Sequence, residues 1–233
     1  MEIEGSRVLV AGATGVLGGH ISRALSADGA RLVLAGRDED ALEALASETG
    51  AATLVFDALD SESCAAVVAR AAGELGGLDA LIVAFGVVAF GPEADTEDWV
   101  TEHVFQVNAL APMTMLRAAL KELEPGGSVA VITAVTADYP TAGMATYSAS
   151  KSALSAWLQA SRAEYRRKKV SVLDIRAPHM DTGLAHRAVA GAPPARLPEP
   201  FSVDALVEAL MSALRSGARR LAFDPQEREL RVR

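Results

Sequence analysis

The chain has 233 residues, half of them hydrophobic and 22% charged, so an α/β domain can bury a sizeable core and intrinsic disorder is excluded. Its formal charge of −8 argues against nucleic-acid binding through a basic surface. Cys64 stands alone, which rules out an intrachain disulfide. His20, His103, His179 and His186 show no metal-ligand spacing, and no metal is expected.

Taken in order, the first residues are acidic and lack a signal-peptide pattern. Residues 7–11 then read as a buried parallel strand ended by glycine, followed by a helix over 15–27. Strands at 31–35 and 52–56 flank a polar-faced helix at 38–48. A helix at 60–75 leads to a strand at 80–84. The apolar run over 80–90 is broken by Gly86 and is too short to cross a bilayer, so a cytoplasmic protein free of the membrane is expected. One long helix is predicted over 96–123, kinked by Pro112. A strand at 128–132, a helix at 146–168 and a strand at 170–175 follow. Residues 183–200, rich in Ala, Pro and Gly, read as a mobile loop, and a helix at 202–216 and a strand at 219–223 close the pattern. Regular alternation of strand and helix predicts one Rossmann-like α/β domain over 1–233, a doubly wound parallel sheet of about seven strands with helices on both faces.

Two motifs carry chemistry. Gly12, Gly15 and Gly18 lie between the first strand and first helix, in the run Gly12-Ala13-Thr14-Gly15-Val16-Leu17-Gly18. Glycines there allow a tight turn and close approach of backbone to a pyrophosphate at the positive end of a helix. A structural strand–helix turn is the other reading of the pattern taken alone. Tyr147 and Lys151 stand four residues apart on the 146–168 helix and share a face. A cation beside a phenol is expected to lower its pKa from about 10 and make it an acid–base group. A nucleotide site beside such a tyrosine suits hydride and proton transfer between a carbonyl and an alcohol.

Arg37 follows the second strand where dinucleotide folds place either an acid for the ribose 2′-hydroxyl or an arginine for a 2′-phosphate, so NADP(H) is favoured over NAD(H). Asp38 reads as a helix N-cap, and a solvated surface arginine is the other reading of Arg37. Asp57, ending the third strand, is read as either an adenine contact or a turn residue.

The Tyr-Ser-Ala-Ser-Lys run at Tyr147–Lys151, with the glycine turn, resembles the short-chain dehydrogenase/reductase superfamily over essentially the whole chain. The resemblance implies a small-molecule carbonyl or alcohol substrate and a homodimer or homotetramer. It implies catalytic roles for Tyr147, Lys151 and Asn108, whose backbone carbonyl would hold a water linked to the lysine. It also implies cofactor contacts from Gly12, Thr14, Gly15, Val16, Leu17, Gly18, Arg37, Asp57, Ala84, Gly86, Pro178 and Thr182, with Tyr147 and Lys151 at the nicotinamide end. The departures are the first-turn glycine spacing, Val83-Ala84-Phe85-Gly86 in place of Asn-Asn-Ala-Gly, and Ala177-Pro178-His179 in place of the Pro-Gly segment. The last is Ala134, thirteen residues before Tyr147, where the family usually carries its catalytic serine. Thr133, by a one-residue shift, or Thr136 is the expected replacement donor. With neither active, the chain would be a weakly active or non-catalytic dinucleotide-binding sensor or structural protein.

Overall fold

The computed structural model describes residues 1–232. Among the described residues eight strands form one sheet in the order β3-β2-β1-β4-β5-β6-β7-β8. They are β1 Arg7–Ala11, β2 Arg31–Gly36, β3 Ala52–Val55, β4 Leu78–Val83, β5 Leu123–Ile132, β6 Ser171–Arg176, β7 Arg220–Asp224 and β8 Glu229–Val232. The first seven pair in parallel, and β8 returns antiparallel along β7. The sequence pattern gave no sign of β8, because Glu229–Val232 is short and mostly exposed with only Leu230 packing inward.

The crossover helices are α1 Val16–Ala27, α2 Glu39–Thr49, α3 Ser61–Leu75, α4 Asp98–Phe105, α5 Ala111–Glu122, α6 Ala145–Arg167 and α7 Val203–Ser216. Alternation along the strands sends side chains to two cores. Leu9, Leu81, Val129 and Val131 meet α3, α5 and α6 on one face. Val8, Val10, Ile82 and Ile175 meet α1, α2 and α7 on the other. Both faces are therefore covered, which is why these strands read as nearly continuous apolar runs.

The single helix expected over 96–123 is instead two helices joined by a π-helical turn, Gln106–Leu110. The break lies one turn before the predicted kink. In an α register the N–H that Pro112 lacks would point at the Asn108 carbonyl. The chain widens here, with the Ala111 N–H returning to the Gln106 carbonyl. Asn108 is thereby placed inside this turn, fully buried.

Because β1 and β4 are neighbours while their crossovers run to opposite faces, a crevice opens where the strand order reverses. The carboxyl ends of β1, β2, β4, β5 and β6 surround it, the position at which open α/β sheets hold ligands.

Candidate active site

The turn from β1 to α1 is built by its glycines. Gly12 has φ +88, and a Cβ there would lie 2.8 Å from Phe85 in the segment after β4. A Cβ on Gly18 would strike the Gly12 carbonyl. Gly15 differs, since a Cβ there would meet only the Gly12 carbonyl at 3.5 Å. Gly15 caps α1 with no side-chain hydrogen bond, and no acid occupies the first turn. The helix end is thus left for an anion. Thr14 and Val16 are exposed at this turn, whereas Leu17 packs into the core, leaving its main chain as the part able to face a ligand.

Arg37 is exposed just past β2. Asp38 is the N-cap of α2, its carboxylate accepting from the Ala41 N–H at 3.0 Å. Asp57 Oδ1 accepts from the Leu59 N–H at 2.9 Å, so one oxygen holds the turn after β3. Ala84 and Gly86 are half-buried after β4. A Cβ on Gly86 would lie 2.9 Å from Asn108 Oδ1 and 3.1 Å from Lys151 Nζ, so this glycine lets the segment after β4 approach both side chains closely. Pro178 and Thr182 are half-buried after β6, the Thr182 carbonyl accepting from Arg187 at 3.2 Å.

On α6, Tyr147, Lys151 and Ser155 form a buried stripe at four-residue spacing. Lys151 Nζ donates to the Ile132 carbonyl at 3.2 Å and lies 6.0 Å from the centre of the Tyr147 ring. Asn108 locks the surroundings with its side chain. Its Oδ1 accepts from the Val87 N–H at 2.9 Å, and its Nδ2 donates to the Val87 carbonyl at 2.8 Å and to Ser150 Oγ at 3.1 Å. Ser150 Oγ donates in turn to the Tyr147 carbonyl at 2.7 Å. The π turn, the β4 segment and α6 are thus joined at one residue.

Burial works against the expected lowering of the Tyr147 pKa. Burial pushes the phenol up to about 12, because a phenolate in this dry setting loses its hydration. Burial likewise brings Lys151 down to about 8, against the opposing pull of Asp174. Desolvation is the one cause of the shift at the phenol, with the ammonium 6.0 Å from the ring centre.

The candidate donors after β5 are placed differently from one another. Thr133 follows Ile132, whose carbonyl anchors Lys151. Its Oγ1 donates to Asp174 Oδ1 at 2.6 Å and faces the interior beneath α6. Thr136 Oγ1 is buried and has no hydrogen-bond partner among the described residues. Ala134 packs directly with Tyr147 and Val88, and Phe90, Met144, Leu184 and Ala188 close around them. Residues 183–200, read as a loop, are tied to the β4 segment at Val189 N–H to Val88 carbonyl, 2.9 Å, and Phe90 N–H to Ala190 carbonyl, 3.0 Å.

Sequence reading missed a buried charged cluster under α6. The Asp174 carboxylate, fully buried on β6, accepts from Thr133 and from Ser155 Oγ at 2.7 Å. Arg176 donates to Ser155 Oγ and stands 3.5 Å from Asp174 Oδ2 and 3.3 Å from Asp138 Oδ2. An aspartate and an arginine two apart in an otherwise apolar strand were the available signal, since both point to one face.

A parallel sheet with a glycine turn at its switch point and a buried tyrosine–lysine pair beside it defines a Rossmann-like α/β fold. The short chain dehydrogenase family model matches residues 6–192, and the chain belongs to that family. A cyclic-di-GMP-binding biofilm dispersal mediator protein of Escherichia coli is 36% identical over 153 residues, covering 64% of this chain and 62% of the relative. Dehydrogenase/reductase SDR family member 7B of Bos taurus is 30% identical over 195 residues, covering 78% and 60%. The chain thus spans about three fifths of the length of these curated relatives. A short chain dehydrogenase from Burkholderia cenocepacia solved in complex with NADP superposes with TM-score 0.82 at 23% identity, covering 92% of each chain. BdcA in complex with NADPH gives 0.80 at 26% identity, covering 91% of this chain and 87% of its own. Among the described residues no helix is long and apolar enough to cross a membrane.

Proposed function

We propose that the chain is an NADP-dependent oxidoreductase that interconverts a carbonyl and an alcohol, with residues 1–233 acting as one NAD(P)-binding domain. The observation that carries this reading is the buried Tyr147–Lys151 stripe facing Gly86, next to an uncapped, glycine-lined helix start. The residues fit a dinucleotide. The turn at Gly12, Gly15 and Gly18 and the first N–H groups of α1 would take the pyrophosphate. Arg37 would take a 2′-phosphate, since Asp38 is committed to capping α2. Asp57 keeps one carboxylate oxygen for the adenine amine. Ala84, Gly86, Pro178 and Thr182 would line the nicotinamide half, with Lys151 on its ribose.

When bound, the reduced nicotinamide supplies a hydride to the carbonyl carbon. Tyr147 delivers the proton to the carbonyl oxygen, and its high pKa keeps that proton in place until the oxygen becomes basic. Asn108 holds α6 against the β4 segment so that phenol and ammonium keep their spacing. The half-exposed Leu59, Trp99 and Leu110 fit a homodimer or homotetramer buried on the α4 side.

The test is NADPH oxidation by the purified chain against a panel of aldehydes and ketones, with Tyr147→Phe as control. Turnover lost in Tyr147→Phe with NADPH binding retained supports the reading. Turnover surviving that change refutes it.

A second reading, a dinucleotide-binding sensor or structural protein with little catalysis, is favoured by one observation. Ala134 offers no hydroxyl to a carbonyl over Tyr147, and Thr133 has committed its own elsewhere. The E. coli relative is named for nucleotide binding rather than for a reaction. NADPH binding without oxidation on any member of the panel would select this reading.

A further inference from the structure

We infer that a small oxyanion, a phosphate group either free or carried on a small metabolite, binds outside the active site. Its partners are the guanidinium groups of Arg162, Arg176 and Arg220, and it takes the place held by the Asp138 carboxylate.

The three arginines come from adjoining elements. Arg162 lies on α6, Arg176 ends β6 and Arg220 begins β7. Asp174 and Arg176 share one face of β6, and pairing of Asp174 with Arg220 puts Arg220 on that face too. On β7 this face is open. Arg220 and Ala222 are partly exposed, whereas Leu221, on the α7 side, is fully buried.

Two of these guanidinium groups carry a buried N–H that nothing accepts. Arg162 Nε and Arg176 Nε have no hydrogen-bond partner among the described residues. Arg176 is 2% exposed, so its orphaned donor is costly. Its other nitrogens go to the hydroxyls of Ser155 and Thr133. Arg162 gives Nη2 to the Arg219 carbonyl at 2.8 Å. Asp174 serves neither Nε, since its two oxygens accept from Thr133 and Ser155.

Asp138 covers the group without fitting it. Its Oδ2 lies 3.3 Å from Arg176 Nε with no hydrogen bond formed, and its Oδ1 is 3.9 Å from Arg220 Nη1. The turn that carries it is held by its main chain. Ser152 Oγ donates to the Ala137 carbonyl at 3.2 Å, and the Asp138 N–H donates to the Val135 carbonyl at 3.0 Å. The Asp138 side chain can therefore swing to solvent while the turn stays in place.

Charge sets the class of ligand. Three guanidinium groups meet two carboxylates, which leaves one positive charge in excess. Burial lowers the Arg162 pKa, and Arg220, Arg219 and Arg176 lower it further against the pull of Asp174. Burial also lowers Arg176, with Asp174 and Asp138 opposing and Arg220 adding to the fall. A phosphate dianion in place of Asp138 cancels the excess. Its several oxygens can accept from more than one planar guanidinium at once, which a single short carboxylate does not achieve here.

The experiment titrates inorganic phosphate and, separately, glycerol phosphate into the full chain by calorimetry, in chloride buffer at fixed ionic strength. At least one probe should bind saturably, and the tighter one shows whether the group is taken free or as an ester. Arg220→Gln, at a partly exposed position, should weaken that binding by about tenfold or more. Asp138→Asn should tighten it by about tenfold, because the competing carboxylate is gone. A purely structural Asp138 gives no such gain. Arg37→Ala, at the other exposed cation able to hold a phosphate, should change nothing. The inference is overturned by no saturable binding of either probe, or by binding indifferent to Arg220→Gln. Asp138→Asn that leaves affinity unchanged or weaker overturns it as well. NADPH turnover is not the readout, so the reductase reading stands or falls separately.

Discussion

Thr133 Oγ1 stands 2.6 Å from Asp174 Oδ1, to which it donates, with the Ile175 carbonyl as a second acceptor at 3.1 Å. The same carboxylate takes the Ser155 hydroxyl from the second turn after Tyr147, so one buried acid ties the end of β5 to α6. Lys151 hangs between these two ties, anchored on the carbonyl of Ile132, the residue before Thr133. Thr133→Val should therefore lower kcat by about tenfold through a shifted lysine, and weaken NADPH as well, whereas Thr133→Ser keeps the hydroxyl and should keep both. Loss of kcat with NADPH affinity untouched would mean that Thr133 acts on the substrate directly.

Asp174→Asn removes one charge from a buried cluster. Arg176, 2% exposed, would keep Asp138 at 3.3 Å as its carboxylate partner, besides the Ser155 and Thr133 hydroxyls. Breaking a buried pair from one side typically costs about 3–5 kcal/mol. Urea unfolding should show a loss of that size, and a loss below about 1 kcal/mol would indicate that solvent reaches the cluster.

Thr136 gives the opposite expectation. Its hydroxyl is buried without a partner, and such a group is destabilising. Thr136→Val should leave stability unchanged or raise it by about 1 kcal/mol. Turnover should stay within about threefold of the unaltered chain, because Tyr147 alone is taken to meet the carbonyl. A fall of about 10- to 1000-fold, the scale for one oxyanion-type donor, would make Thr136 the replacement for the missing serine.

Much of this architecture was legible in the residues because its signals are local. Strand–helix alternation, the glycine turn and the four-residue Tyr–Lys spacing each need only a short window. Asp38 caps α2 as its local sequence predicts, for the same reason. What was not legible depends on contacts between distant segments. The destination of the Thr133 hydroxyl is set by β5–β6 pairing, and the Tyr147 pKa by how deeply six loop side chains bury it. Pro112 announced a break in its helix but not that the π turn would place it one turn earlier, around Asn108.

Gly15 and Gly18 separate folding from binding. A Cβ at Gly18 would strike the Gly12 carbonyl, so Gly18→Ala should destabilise the β1–α1 turn itself. A Cβ at Gly15 makes an ordinary 3.5 Å contact with that carbonyl, and Gly15 has φ −72, which alanine accepts. Gly15→Ala should fold with nearly unchanged stability, as Gly-to-Ala at an N-cap costs under about 1 kcal/mol. Its methyl would stand in the anion cradle and weaken NADPH by about tenfold or more in a fluorescence titration. Unchanged affinity would place the pyrophosphate elsewhere.

Arg37→Ala should weaken NADPH by about tenfold or more and leave NADH unchanged, since a charge-assisted pair to the 2′-phosphate is lost only for NADPH. The Asp38 carboxylate, held by the Ala41 N–H, stays in place in the variant. Equal weakening of both cofactors would assign Arg37 to the shape of the β2–α2 turn.

The two directions of the reaction should answer to pH with different signs. Reduction uses Tyr147 as an acid and needs it protonated. With a pKa of about 12 the phenol stays protonated through the working range, so carbonyl reduction should be flat between about pH 6 and 9. Oxidation uses Tyr147 as a base and needs the phenolate, whose fraction grows about tenfold per pH unit below the pKa. Lys151 cannot hold that phenolate at high pH, because its own value of about 8 means the ammonium fades just as the phenolate begins to appear. Alcohol oxidation should therefore climb across about pH 7 to 9 without reaching a plateau, measured with saturating NADP and any alcohol product identified by the reduction screen. A plateau at or below about pH 8 would show that the bound cofactor restores the Lys151 charge and draws the phenol down. In that case Lys151→Met should return the steep climb, a result that separates cofactor-assisted tuning from simple burial.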